Sequence, residues 1–362
     1  MTRKMTERVL CCRVREPSPG CFAPVMASGV VSRAAAPLGH PWASDALFAV
    51  AAGAYAVLTA AVVRRLIRHR DRVVRDLNDP ARIFGFFTFV AASDVLAARP
   101  ADARWAPVTA VLLVAAVSVW AALAGQVVRV LRRSWATALR RADGSWFLSV
   151  VGLQSVVPAA AALRLATPWR TAELVCWGAG VCLYALVTGV TAIRLRRHRL
   201  TARELTPPYW VAMGSGAISV LAGARLLPDL AAGSPLRPVT VTVLLTVWCW
   251  ASCLLPLLVA AGVWRHGVRR VPLVHDPAWW TIVFPLGMYA VATQALGAGA
   301  GIAPPAGLGR AMAWAGTVAW FLVATGALVR GSRVPTPEPA GHRAAELCTG
   351  EPAGPPGPPP TR

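Results

Sequence analysis

Four arginines stand at nearly one distance from four acids. Counting from Glu16, Asp79, Asp143 and Glu204, an arginine follows at +17, +20, +21 and +21, as Arg33, Arg99, Arg164 and Arg225. Helix over about 20 residues rises roughly 30 Å, so these side chains are expected together at one end of a helical bundle, where guanidinium groups around an axis draw anions. The competing reading is that each is a helix-end arginine snorkelling to lipid phosphates. A fifth group, Asp94, is a carboxyl inside an apolar run, 15 residues past Asp79. A charge at that depth is expensive and is usually paired or functional. Asp94 is thus either the partner of Arg99 or another of these arginines, or a protonatable carboxyl coupling proton movement to a substrate.

Enzyme chemistry finds no comparable constellation. Gly214-Ser215-Gly216 falls in an apolar run without a histidine or aspartate to activate the serine. Gly297-Ala-Gly299-Ala-Gly301 is followed by no strand-helix unit, so it reads as a flexible loop and not as a dinucleotide fingerprint. None of the six histidines stands at metal spacing. Cys176, Cys182, Cys249 and Cys253 read as small apolar packing residues, and eight cysteines in 362 residues are too sparse for a disulfide scaffold. No enzyme, metal or cofactor is expected.

The elements that must position the arginines are membrane helices. Hydrophobic residues make up 56% and charged residues 15% of the chain, well below the roughly one quarter charged in soluble domains. The net charge of +21 comes with a single lysine and no basic domain, which excludes a nucleic-acid binder. Ten apolar segments are expected to span a bilayer, near 20–38, 45–66, 83–98, 105–128, 145–163, 172–193, 208–227, 238–262, 278–297 and 309–329. Segments 1–16, 64–82, 129–141, 194–203, 265–270 and 330–362 hold 29 of the 37 basic residues. By the positive-inside rule those segments and both termini are cytoplasmic, in the cytoplasmic membrane. Residues 1–19 read as a cytoplasmic head rather than a cleaved signal, with Cys11 and Cys12 either acylated or plain reduced thiols. Residues 20–330 form the membrane domain, and 331–362 a disordered Pro-rich cytoplasmic tail.

An acid precedes every odd-numbered segment. Glu16, Asp79, Asp143, Glu204 and Asp276 are spaced 63, 64, 61 and 72 residues apart, which points to five copies of one helical hairpin with the acid capping its first helix. Odd segments carry small or kinking residues, as in Gln154-Ser155-Val156-Val157-Pro158, whereas even segments are plain Ala, Val and Leu. Small residues allow close helix approach. The expected fold is an all-α polytopic membrane protein with five inner helices around a central pore and five outer helices against lipid.

Several of these runs resemble one family. Asp276-Pro-Ala-Trp-Trp-Thr-Ile-Val-Phe-Pro-Leu-Gly-Met-Tyr-Ala is similar to the ninth helix of the tellurite-resistance/C4-dicarboxylate transporter family, related to bacterial tellurite-resistance channels, fungal malate permeases and plant slow anion channels. Phe22-Ala-Pro-Val-Met-Ala-Ser-Gly-Val-Val-Ser, Asp79-Pro-Ala-Arg-Ile-Phe-Gly-Phe-Phe-Thr-Phe-Val and Pro208-Tyr-Trp-Val-Ala-Met-Gly resemble its first, third and seventh helices. The resemblance covers roughly residues 20–330. It implies a homotrimer with a pore inside each subunit, passing small anions or malate-like dicarboxylates. It also implies closure by a phenylalanine ahead of a proline, which in this sequence is Phe284 before Pro285. A phenyl ring in a narrow apolar bore excludes ions by volume and dewetting, and a rotamer change opens it. A proton-coupled dicarboxylate permease and a tellurite-resistance exporter are the alternatives, with a non-conducting membrane sensor behind them.

Overall fold

A computed structural model describes residues 17–39, 41–99, 105–163, 167–197, 201–231, 233–273, 276–301 and 306–332. Among these residues there is helix and no strand. Eleven α-helices follow in order: α1 (Ala23–Ala35), α2 (Pro41–Arg68), α3 (Arg70–Asn78), α4 (Phe87–Ala97), α5 (Ala106–Arg141), α6 (Leu148–Ala162), α7 (Thr167–Arg197), α8 (Val211–Leu226), α9 (Leu236–Val263), α10 (Trp280–Ala300) and α11 (Ala306–Ser332). Among the described residues eight helical stretches are long and apolar enough to cross a membrane. A ninth is added if α3 and the stretch Ile83–Ala97, bent by 113°, count as one span. In place of the first expected span, α1 has 13 residues, about 20 Å of helix, and by itself falls short of a bilayer core of about 30 Å.

Burial separates the helices into two classes. In the stretches containing α6, α8 and α10, between 67% and 83% of the apolar window is buried, against 11% to 28% in α2, α5, α7, α9 and α11. Nearly every residue of α1 and α4 is buried as well. The five buried helices pack in a closed cycle, α1 on α4, α4 on α6, α6 on α8, α8 on α10 and α10 on α1. Each also packs on the long exposed helix that follows it, and α11 closes the cycle by touching both α10 and α1. There Trp320 Nε1 donates to Ser28 Oγ at 2.7 Å.

Small residues set these distances. A Cβ at Gly29 would lie 2.6 Å from Val95 Cγ1, and one at Gly287 would lie 3.0 Å from Val30 Cγ1, so α1 meets α4 and α10 through glycine backbone.

The repeat has a local structural form. A 3-10 turn leads into four of the buried helices, at Ile83–Phe86, Gly144–Phe147, Pro207–Trp210 and Pro277–Trp279. Asp143 and Asp276 cap two of these entries, accepting from the amides of Ser145 and Ala278 at 2.9 and 2.8 Å, and Asp79 holds the turn just ahead of a third, accepting from Ala81 N at 2.9 Å. Glu204 departs from the expectation: it stands two residues ahead of the cap position Thr206 and accepts from Thr201 N at 3.2 Å instead. Glu16 lies outside the described residues, as do 331–332 side chains and the tail beyond them.

Four segments expected as loops are wholly or partly helical. The basic stretch 129–141 continues α5, kinked at Ser134, and Arg194, Arg196 and Arg197 continue α7. Arginine is a good helix former, so an apolar helix runs on past the hydrophobic stretch into its basic flank. Within 64–82 the chain makes the short helix α3, held by the buried pair Arg65 Nη2 to Asp76 Oδ2 at 2.5 Å. The glycine run is the fourth. Gly297 and Gly299 belong to α10, which ends at Gly301 with φ +65°. A Cβ at Gly299 would lie 2.9 Å from Ala224 O, so glycine here lets two helices meet and does not break one.

Candidate functional site

At the C-terminal ends of the buried helices a cavity of about 830 Å³ opens between them. Arg33, Arg99 and Arg225, three of the four expected arginines, line it. Arg33 and Arg225 occupy the last turns of α1 and α8, and Arg99 follows directly on α4. Arg164 lies outside the described residues. The cavity's polar lining also includes Ser32, Ser44, Arg170, Asp229 and Gln294. Ser32 and Ser44 bond reciprocally to each other's carbonyls at 2.6 and 2.8 Å, fixing α1 to α2 at the rim.

These arginines are not equivalent. Arg99 is ion-paired with Asp45 of α2, and its guanidinium sits 4.1 Å over the Phe48 ring. Arg170 is ion-paired with Asp229. No such partner holds Arg33 or Arg225 among the described residues, and the two lie near enough for their charges to oppose each other. A wet cavity with two uncompensated positive charges favours small anions.

Below the cavity is a narrow space of about 10 Å³, room for about one water. All five buried helices line it: α1 through Val30 and Arg33, α4 through Asp94 and Val95, α6 through Ser155 and Pro158, α8 through Ile218 and Leu221, α10 through Met288 and Val291. Arg33 and Val291 belong to both spaces, so the wide one narrows into the other. Phe284 precedes Met288 by four residues and Val291 by seven, which puts it on the same face of α10, one turn deeper. Its side chain is 0% exposed. The ring is accommodated by Gly214 of α8, where a Cβ would lie 3.2 Å from Phe284 Cε1 and 2.9 Å from Pro285 Cγ. Pro285 lies inside the helix and has no amide to donate, so the carbonyl one turn back loses its helical partner beside Phe284.

This order of features, cationic cavity, constriction and phenyl ring on one axis, agrees with the sequence comparison. A family model described as voltage-dependent anion channel, SLAC1, matches residues 17–328. The chain belongs to that family. An uncharacterized membrane protein of Mycobacterium tuberculosis is 39% identical over 144 residues, covering 39% of this chain and 72% of the relative. An uncharacterized transporter of Methanocaldococcus jannaschii is 25% identical over 170 residues, covering 45% of this chain and 48% of that protein. SLAC1 membership makes anion transport across a membrane the activity class.

Within this SLAC1-family chain Asp94 needs a correction. It is not the partner of Arg99, which Asp45 holds across the α2–α4 contact. Asp94 is 0% exposed, its Oδ2 accepts from Ser155 Oγ at 2.7 Å, and its Oδ1 has no hydrogen-bond partner. Sequence reading also missed Arg170, Asp45 and Glu173. Arg170 and Asp45 stand at the starts of outer helices, and counting along the inner helices passes over both. Glu173 is 6% exposed with Oε2 unpartnered, a second buried carboxyl one turn after Arg170. Its signal was an acid three residues after an arginine at the start of an apolar run.

Proposed function

We propose that the cycle of five buried helices is a pore for small anions, with malate-like C4-dicarboxylates as the substrate class. The observation that carries this is the cavity lined by Arg33, Arg99 and Arg225, narrowing into a space to which all five helices contribute. Arg33 and Arg225 supply most of the attracting field, Arg164 adds to it, and Arg99 acts with Asp45 as a rim clasp. Phe284 is the gate and Pro285 the weak point in the helix that lets it move. The rest of the reading is ten spans paired as five hairpins and a homotrimer with one pore per subunit. Both termini lie on the cytoplasmic side of the cytoplasmic membrane. The activity is transport and not catalysis.

Efflux of labelled chloride, nitrate and malate from proteoliposomes tests the proposal, with Phe284→Ala run beside the parent. Anion efflux that rises in the variant supports it. If neither protein releases any of the three anions above empty liposomes, the pore reading fails.

A second reading is a proton-coupled permease, favoured by the unpartnered Oδ1 of a buried carboxyl facing the narrow space. It differs from the channel in one respect: uptake of malate would depend on an imposed pH gradient.

A further inference from the structure

The arginine positions of the repeat have a fifth member, and it is an amide. Asp276, the acid ahead of α10, is followed at +18 by Gln294, inside the range of +17 to +21 at which arginine follows the other four acids. The match is closest with α8. Arg225 and Gln294 each stand 17 residues after the proline of a Pro-x-Trp entry, at Pro208 and Pro277, and each is the fifteenth residue of its helix. Both line the wide cavity.

Gln294 is partly buried, and its stem passes over Gly309 of α11, where a Cβ would lie 3.3 Å from Gln294 Cγ. Among the described residues its amide has no hydrogen-bond partner, and neither amide atom is shut away from the open space, so both ends are free to meet a guest. What the amide adds to this cavity is an acceptor. Arginine has five N–H donors and no acceptor, so Arg33, Arg99, Arg170 and Arg225 can hold a guest's negative charge but offer nothing to a hydroxyl hydrogen. Ser32 and Ser44 are bonded to each other across the α1–α2 contact. The carboxylate of Asp229 is held by Arg170 and repels an anion. Among the described residues of the lining, the Gln294 amide is thus the neutral side-chain acceptor left open.

We propose that Gln294 sets a preference for 2-hydroxy carboxylates over their deoxy counterparts, its Oε1 accepting the hydroxyl hydrogen while Arg33 or Arg225 holds the carboxylate. This rests on the anion-pore reading and adds the chemistry by which equally charged anions are told apart. The arginines act alike on both members of such a pair, so the difference comes from the hydroxyl. In a wet cavity water replaces a lost contact, and one neutral hydrogen bond changes affinity by about fivefold, far less than in a dry site.

The full-length protein in detergent at pH 7.5, where all four acids are ionised, is titrated with lactate, propionate, malate and succinate. The affinity of each is taken from the rise of the thermal melt with its concentration. Lactate should bind about fivefold tighter than propionate, and malate about fivefold tighter than succinate. Gln294→Leu should bring each pair to equality. Gln294→Arg, which supplies the residue the other repeat positions carry, should tighten all four at low salt and still show no preference, a result that a packing role does not produce. Equal affinities within each pair in the parent, or a preference that survives either substitution, overturns the proposal. Efflux of the same four anions from proteoliposomes separates this failure from that of the pore. Release at equal rates within each pair removes the hydroxyl contact alone, whereas no release above empty liposomes, with no shift of the melt, removes the pore reading and this one with it.

Discussion

Among the described residues Arg33 and Arg225 are the two guanidinium groups of the cavity left without a counter-charge, and replacing both by Gln should weaken anion entry by an amount the geometry sets. A space of about 830 Å³ has a radius of about 6 Å, so an anion at its centre lies roughly that far from each charge. With the dielectric of water, the conservative case, one such pair is worth about 0.7 kcal/mol and two about 1.4 kcal/mol. That is about a tenfold loss of occupancy for a monovalent anion and about a hundredfold for a dianion. At 0.01 M ionic strength the screening length of about 30 Å leaves this intact, while at 1 M the length of about 3 Å cuts it to roughly 0.2 kcal/mol, less than a factor of two. The assay is initial efflux from proteoliposomes at subsaturating chloride or malate, at both salt levels, with protein insertion matched. The Lys/Lys variant keeps the charge and should retain the salt dependence of anion entry. Equal flux in parent and Gln/Gln protein at low salt would refute the electrostatic role and make these two residues lipid anchors. A loss that is the same at both salt levels, or the same for chloride and malate, would refute it too.

Three further outcomes are expected. Phe284→Ala should raise conductance in planar bilayers, and because the ring is fully buried it should also lower stability by about 3–5 kcal/mol, read as the shift of a thermal melt in detergent. A variant that is destabilised yet conducts no more than the parent would leave Phe284 as a packing residue. Asp94→Asn should abolish any dependence of malate uptake on a pH gradient, and unchanged dependence in a well-folded protein would eliminate proton coupling at this position. Gly144→Ala places a Cβ 2.2 Å from the Pro208 carbonyl, a clash with backbone that should cost about 1–3 kcal/mol. An unchanged melt would contradict the packing of the two 3-10 entries.

Periodicity and residue size made the architecture readable. Gly29, Gly214 and Gly287 marked the helices that pack through their backbone, and arginine counted from an acid put Arg33, Arg99 and Arg225 on one cavity. What stayed hidden depends on partners distant in sequence. Arg99 and Asp45 are 54 residues apart, and nothing in either neighbourhood says that α2 presents its acid to the end of α4. Gly299 was misread for a related reason. Glycine lowers helix propensity locally, and only the approach of the Ala224 carbonyl explains why a helix keeps it. The short helix α3 was missed because its nine residues are mostly charged or polar, with only Val73 and Leu77 turned to the core, and the buried Arg65–Asp76 pair that helps hold it joins two elements.

The sequence of charges along the axis bears on what the pore does with an anion once it has entered. Arg33 lines both the wide cavity and the constriction, so the attraction does not end at the mouth but reaches the level of Asp94. A carboxylate there opposes an anion by the same Coulomb arithmetic that makes Arg33 attract it, and the apolar side chains of α8 and α10 around it do nothing to soften the effect. An anion reaching Phe284 must therefore pass Asp94 when the carboxyl is neutral or when Arg33 swings down to offset it. In the first case the proton is part of each passage, and in the second Arg33 alternates between its cavity and its constriction positions. Lysine at position 33, shorter and without the guanidinium fork, should preserve entry but impair the second route. Comparing Arg33→Lys alone with Arg33→Lys on the Asp94→Asn background separates the two: rescue of flux by the Asn assigns the passage to Arg33 offsetting a charged Asp94.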